Sequence, residues 1–142
     1  MSEDWTIRSA TGDDRPWIAG TLAEDLSRNS YLYGVAPKLV ANLAASVAAP
    51  SAWDVAVACT ADHDREAAGW VIYRLVPTLT IAYAHVEPAF RGLGAWRALR
   101  DHLGLRDGQL VGVVLAPPTA MQHARKKYQA KHNWGMVLEW LA

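Results

Sequence analysis

The segment from Leu79 to Leu103, LTIAYAHVEPAFRGLGAWRALRDHL, constrains this chain more than any other. Leu79 to Val86 is apolar and β-prone, with Thr80, Ile81, Tyr83 and Val86 favouring a pleated strand. Pro88 ends the strand because it has no N–H for a ladder. Arg91-Gly92-Leu93-Gly94 forms a glycine-interrupted turn. Ala95 to Leu103 then reads as a helix, with Trp96, Leu99 and Leu103 on one side and Arg97, Arg100 and Asp101 on the other. A strand, a glycine turn and a helix start in this order suit an anion. The first helical amides have no partner within the helix, and its dipole adds partial positive charge there. Gly92 and Gly94 lack a Cβ, so a phosphate can approach the backbone closely. Arg91 can add a charge-assisted bond. No Lys-Ser/Thr pair follows the glycines, so this is not a nucleotide-triphosphatase loop. No G-x-G-x-x-G opens a βαβ unit at the chain start, which argues against a dinucleotide fold.

The flanking sequence supplies a sheet for this segment. Asp4 to Arg8 reads as a first strand, with Trp5 and Ile7 sharing a face. Thr11-Gly12-Asp13-Asp14 is a turn in which Asp13 or Asp14 can cap a helix, and Pro16 suits the first helical turn. Ile18 and Leu22 follow at helical spacing. The stretch from 27 to 36 is irregular. Pro37 opens a second helix, with Leu39, Val40, Leu43 and Val47 as its stripe. Trp53 to Thr60 alternates, placing Trp53, Val55, Val57 and Cys59 on one face of a half-buried strand. Ala67 to Val76 is the next strand, with Gly69 marking a bulge. Short turns join these strands to the central one, which predicts an antiparallel meander.

Downstream, Gly104 is a helix C-cap, and Gln109 to Leu115 is a buried strand. The helix between it and the central strand implies a crossover, so the two strands should run parallel. Pro117 begins a last helix carrying Ala120, Ala124 and Tyr128 at helical spacing. Asn133-Trp134-Gly135 ends that helix, and Met136 to Leu141 closes the sheet.

At 142 residues the chain fits one domain, 1–142, able to bury a core. Its net charge is zero, which argues against a dedicated nucleic-acid binder. The single cysteine, Cys59, excludes an internal disulfide framework and suits a reducing, cytoplasmic setting. No apolar run is long enough for a membrane span, and the polar start MSEDWT is no signal peptide. Asp62, His63 and Asp64 are adjacent in a hairpin turn, where they rarely converge, so no metal site is expected.

Val86-Glu87-Pro88-Ala89-Phe90-Arg91-Gly92-Leu93-Gly94 resembles the signature of the GNAT N-acetyltransferase superfamily, V-x-P-x-[YF]-R-G-x-G followed by a helix. The opening strand, acidic turn and helix resemble that family's start as well. The resemblance implies an α/β fold: a mixed, mostly antiparallel sheet of about six strands flanked by about four helices. It implies acetyl-coenzyme A as cosubstrate without a metal, and an amine acceptor that is a small molecule or a protein. A homodimer is compatible with it. By the resemblance, Arg91, Gly92, Leu93, Gly94, Ala95 and Trp96 hold the pyrophosphate, and Val86 pairs with the pantetheine arm. Trp96 stands where the family has a small residue.

Acetyl transfer to an amine needs a base for the amine, donors for the oxyanion, and an acid for the departing thiolate. Backbone amides near Val86 suit the oxyanion. Ala124-Arg125-Lys126-Lys127-Tyr128 resembles the family's A-x-x-x-Y, which implies Tyr128 as the acid. The strand positions that carry a base in many members are Thr80 and Ala82 here. His85 and Glu87 are the remaining candidates. Strand alternation puts His85 on the opposite face from Val86, so its use as the base is expected only if a bulge rotates it. A water chain to solvent would serve equally. Glu24 and Asp25 are either surface acids or contacts for a cationic amine. A second reading is a GNAT-like module that has lost catalysis and binds coenzyme A or a protein.

Overall fold

A computed structural model describes residues 4–28, 53–61, 66–75, 79–113 and 118–132. Strand β1 (Trp5–Ser9) leads to helix α1 (Arg15–Arg28). Strands β2 (Asp54–Thr60), β3 (Ala67–Arg74) and β4 (Thr80–Val86) follow. A single 3-10 turn at Pro88–Phe90 and the glycine turn lead into helix α2 (Ala95–Leu103). Strand β5 (Leu110–Val113), helix α3 (Pro118–Lys127) and strand β6 (Gln129–His132) complete the described chain. The expected helix at Pro37, the turn at Asp62–Asp64 and the strand Met136–Leu141 lie outside the described residues. Among the described residues, no helix is long and apolar enough to cross a membrane.

The six strands form one sheet in chain order. β1 to β4 pair antiparallel, as the short connections predict. β5 runs parallel to β4, and β6 runs parallel to β5. Helix crossovers are the reason: α2 and α3 each return the chain to the same end of the sheet.

Strand alternation divides the core into two clusters. Val57, Cys59, Trp70 and Ile72 face α1 and pack with Ile18 and Leu22. Ala56, Ala58, Val71 and Val111 face α2 and pack with Ala95, Leu99 and Leu103. Two irregularities interrupt the ladders. Between β2 and β3 the register shifts so that Ala58 pairs with Gly69 and Cys59 with Ala67, which leaves Ala68 as the extra residue beside the expected glycine. Between β3 and β4, Ile72 pairs with Tyr83 and Tyr73 with Ile81, so Ala82 is the extra residue. That bulge turns both Ala82 and Tyr83 toward α1. Alternation then resumes, with Ala84 and Val86 on the α2 side.

Two anchors fix the ends that matter for the site. Arg8 on β1 makes a bidentate contact with Asp14, at 2.6 and 2.9 Å. Asp14 also accepts from the Thr11 amide at 2.7 Å, which sets the entry to α1. The Arg8 guanidinium, chiefly through its hydrogen bond, holds the Asp14 carboxyl down to about 2, and the arginine is raised in return. At the other anchor, Trp5 Nε1 donates to Leu93 O at 3.0 Å, and the Trp5 ring meets Phe90 edge-on. β1 thereby clamps the glycine turn.

Candidate active site

Among the described residues, β4 pairs with β5 at Thr80–Gly112 and Ile81–Val113. Gly112 lets the two strands approach there, because a Cβ on it would come within 2.8 Å of Thr80 Oγ1.

The backbone direction at Val86 follows from its neighbour. The Glu87 amide donates to Ala68 O on the β3 side at 2.7 Å. Peptide groups alternate along an antiparallel strand, so Val86 turns its N–H and C=O toward the β5 side. Its carbonyl is met there by Arg91 Nε at 3.0 Å. Arg91 is therefore folded back against the strand, beside the turn it opens.

Gly92 and Gly94 both have positive φ, 79° and 97°, a conformation that side chains other than glycine's adopt rarely. Gly94 caps α2, and no side chain caps that end. A Cβ on Gly92 would meet nothing within 4 Å, so the turn faces open space. The Trp96 ring packs against the cluster beneath α2, which is where this chain puts the bulk at that position. Open Gly92, the start of α2 without a side-chain cap and the adjacent Arg91 could hold an anion.

On the α1 face of β4 the structure gathers side chains far apart in sequence. His85 is 8% exposed and stacks on Trp70, with ring centroids 5.7 Å apart and planes 28° apart. Its Nδ1 lies 2.8 Å from Asp25 Oδ2, and the Tyr83 hydroxyl donates to the same oxygen at 3.1 Å. His85 Nε2 is buried without a hydrogen-bond partner and lies 3.5 Å from Glu87 Oε1. Glu87 Oε1 accepts from Trp17 Nε1 at 2.7 Å. Trp70 Nε1 donates to Thr21 Oγ1 at 2.9 Å. Trp17, Thr21 and Asp25 are four apart on α1, so they form one stripe along the helix.

The structure thus brings together His85, Glu87 and Val86 at the end of β4, with Arg91 to Trp96 directly after. His85 does face away from Val86, as plain alternation predicts. The bulge lies upstream at Ala82 and does not rotate it. Asp25, Trp17 and Tyr83 are the partners that sequence did not assign. The i, i+4, i+8 spacing on α1 was the available signal. Glu24 is a surface acid, paired with Arg28 one turn on.

Tyr128 is not brought to this site. Helix α3 ends at Lys127 rather than at Asn133, because the chain there is drawn into the sheet edge. Gly108 N donates to Lys127 O at 2.7 Å and Gln129 N to Gln109 O at 2.9 Å. Tyr128 is consequently level with the start of β5, roughly 30 Å along the strand direction from Val86 at ~3.3 Å per residue. Tyr128 is instead the main influence raising Arg100 on α2. Among the described residues, no group of three or more His, Cys, Asp or Glu is placed to hold a metal ion.

The sequence matches no protein-family model and no curated protein. Solved structures do resemble the chain. One is a possible acetyltransferase from Clostridium difficile 630, at 14% identity and TM-score 0.60 over 91% of this chain and 93% of that one. A second is a ribosomal-protein-alanine N-acetyltransferase from Brucella melitensis biovar Abortus 2308, at 15% identity and TM-score 0.53 over 92% and 81%. A third is AAC(6')-Iy in complex with a coenzyme A bisubstrate analogue, at 14% identity and TM-score 0.50 over 86% of each chain. With its six-stranded mixed sheet and flanking helices, the chain has the fold of the GNAT acetyltransferases.

Proposed function

We propose that this protein transfers an acetyl group from acetyl-coenzyme A directly to an amine. One observation carries the reading: a buried histidine with an unbonded Nε2 stands at the end of β4 beside Val86, directly before the glycine turn. A structural histidine in a core is normally satisfied at both nitrogens. The three structural neighbours are described as acetyltransferases or, in one case, as a complex with a coenzyme A analogue, which supports the same chemistry.

The residues divide the work by position. The Gly92–Gly94 turn and the first amides of α2, Ala95 and Trp96 among them, bind the pyrophosphate, with Arg91 alongside. The β5-facing backbone of β4 at Val86 aligns the pantetheine arm. Bound acetyl-coenzyme A supplies an activated acyl group as a thioester. The Val86 amide, turned toward the β5 side, holds negative charge that develops on the acyl oxygen. His85 Nε2 accepts the proton of the attacking amine, and Glu87, more exposed, relays it toward water.

The test is thiol release from acetyl-coenzyme A against a panel of primary amines, comparing wild type with His85→Gln. Acetylation of at least one amine is expected, with kcat falling about 10²-fold or more in the variant and KM for acetyl-coenzyme A unchanged. No acetylation of any amine would refute the transfer reading. A variant at the wild-type rate would remove His85 from it.

A further inference from the structure

We infer that Asp25, on α1, is a positioning residue: it holds the His85 proton on Nδ1 and leaves Nε2 as the bare ring nitrogen. The catalytic consequence rests on the acetyl-transfer reading, but the state of the ring does not.

A carboxylate can only accept, so the 2.8 Å contact places the proton on Nδ1. In a neutral ring the other nitrogen is then an acceptor. The opposite face of the ring supports this assignment. If Nε2 also carried a proton, it would be a buried donor with no acceptor in hydrogen-bond geometry, at a cost of about 1–3 kcal/mol. Glu87 Oε1 lies 3.5 Å from Nε2 and is not in hydrogen-bond geometry with it.

The ring has little freedom to exchange its nitrogens. It is stacked on Trp70, and Trp70 is tied through Thr21 to the same helix that carries Asp25. Asp25 Oδ2 is itself fixed by the Tyr83 hydroxyl, and its side chain is only 18% exposed. The stripe Trp17, Thr21, Asp25 therefore registers α1 against Glu87, Trp70 and His85 in turn. The titratable groups facing the ring are Asp25 from α1, Tyr83 from β4 and Glu87 just beyond it. Asp25 alone is bonded to the ring among them.

The experiment reads the ring directly, without any cosubstrate. Two-bond ¹H–¹⁵N correlation spectra of the imidazoles are recorded at about pH 8, above the ordinary histidine range. The His85 signals are assigned by their loss in His85→Gln. Wild type is expected to show Nδ1 protonated and Nε2 bare. Asp25→Ala should shift the ring toward a mixture of tautomers, whereas Tyr83→Phe, which leaves the Asp25–His85 bond in place, should not. In the acetylation assay, Asp25→Ala should lower kcat at least about tenfold without changing KM for acetyl-coenzyme A, and Asp25→Glu should restore part of it. A wild-type ring protonated at Nε2, or at both nitrogens, overturns the proposal on its own, even if Asp25→Ala does not fold. An unchanged tautomer in folded Asp25→Ala overturns it equally. A wild-type ring in the expected state in a protein that acetylates no amine would uphold this inference and refute the transfer reading instead.

Discussion

Gly69→Ala should destabilise this protein, although most glycine-to-alanine changes at a permitted conformation do the reverse. Gly69 pairs with Val86 across the β3–β4 ladder. A Cβ there would lie 2.7 Å from the His85 carbonyl oxygen, with Val86 atoms at 3.2 and 3.3 Å. The closest of these is backbone, so no side chain can swing aside. Forcing a methyl into a packed interior costs about 1–3 kcal/mol. The lower entropy of the unfolded alanine chain offsets only about 0.4–1 kcal/mol. The net change is therefore a loss of roughly 1–2 kcal/mol. Gly20 on α1 is the internal control: it is exposed, and a Cβ there meets nothing within 4 Å. Alanine should stabilise that helix by about 1 kcal/mol. At about 3 °C per kcal/mol for a chain of this length, the two variants should melt roughly 6–10 °C apart, on either side of wild type. Thermal unfolding followed by circular dichroism measures this. A Gly69→Ala protein at or above the wild-type Tm would refute the close approach of β3 to His85 and Val86. Because the strain falls on those two residues, the same variant should lose acetylation in excess of its stability loss.

Three further outcomes follow from named contacts. The carboxyl of Asp14 is lowered from 3.8 to about 2, so its contribution to stability is complete above about pH 4 and is lost as pH falls toward 2. With Arg8 39% exposed, solvent screening leaves about 1 kcal/mol of this, and Asp14→Asn should cost that much at neutral pH while flattening Tm between pH 4 and 2. An unchanged acid arm would show that the pair contributes nothing. Tyr128→Phe should leave kcat unchanged, whereas a large fall in kcat would return Tyr128 to the active site. Leu99→Ala, fully buried under α2, should cost about 2–5 kcal/mol by urea unfolding; a loss below 1 kcal/mol would mean that α2 is not seated on the sheet as described.

What could be read from the sequence was local. The strand from Leu79 to Val86, the turn and helix α2 follow from β-propensity, two glycines and one proline in the right order. The antiparallel meander and the parallel return of β5 follow from connection lengths and crossover handedness. The bulge beside Gly69 was legible for the same reason, since a glycine within a strand marks a place of close approach. The partners of His85 were not legible. Asp25 is sixty residues away in the chain, and its spacing with Trp17 and Thr21 on α1 also describes an ordinary helix face. Only the packing of α1 on Trp70 decides that this face is the buried one. Tyr128 shows the converse. Its motif predicted a role, but the pairing of Gln129 with Leu110 ended the helix early and left Tyr128 level with the start of β5, away from Val86. Long-range strand pairing overrode a local helical pattern there.

The proposed transfer needs the glycine turn and the end of β4 to form a single site for acetyl-coenzyme A. Calorimetric titration of the purified protein with acetyl-coenzyme A tests this most directly, with Gly94→Trp as the comparison and its fold checked by circular dichroism. The account predicts binding at about micromolar affinity in wild type and its loss in the variant. No detectable binding to the wild type, or binding undiminished in a folded Gly94→Trp protein, would contradict it.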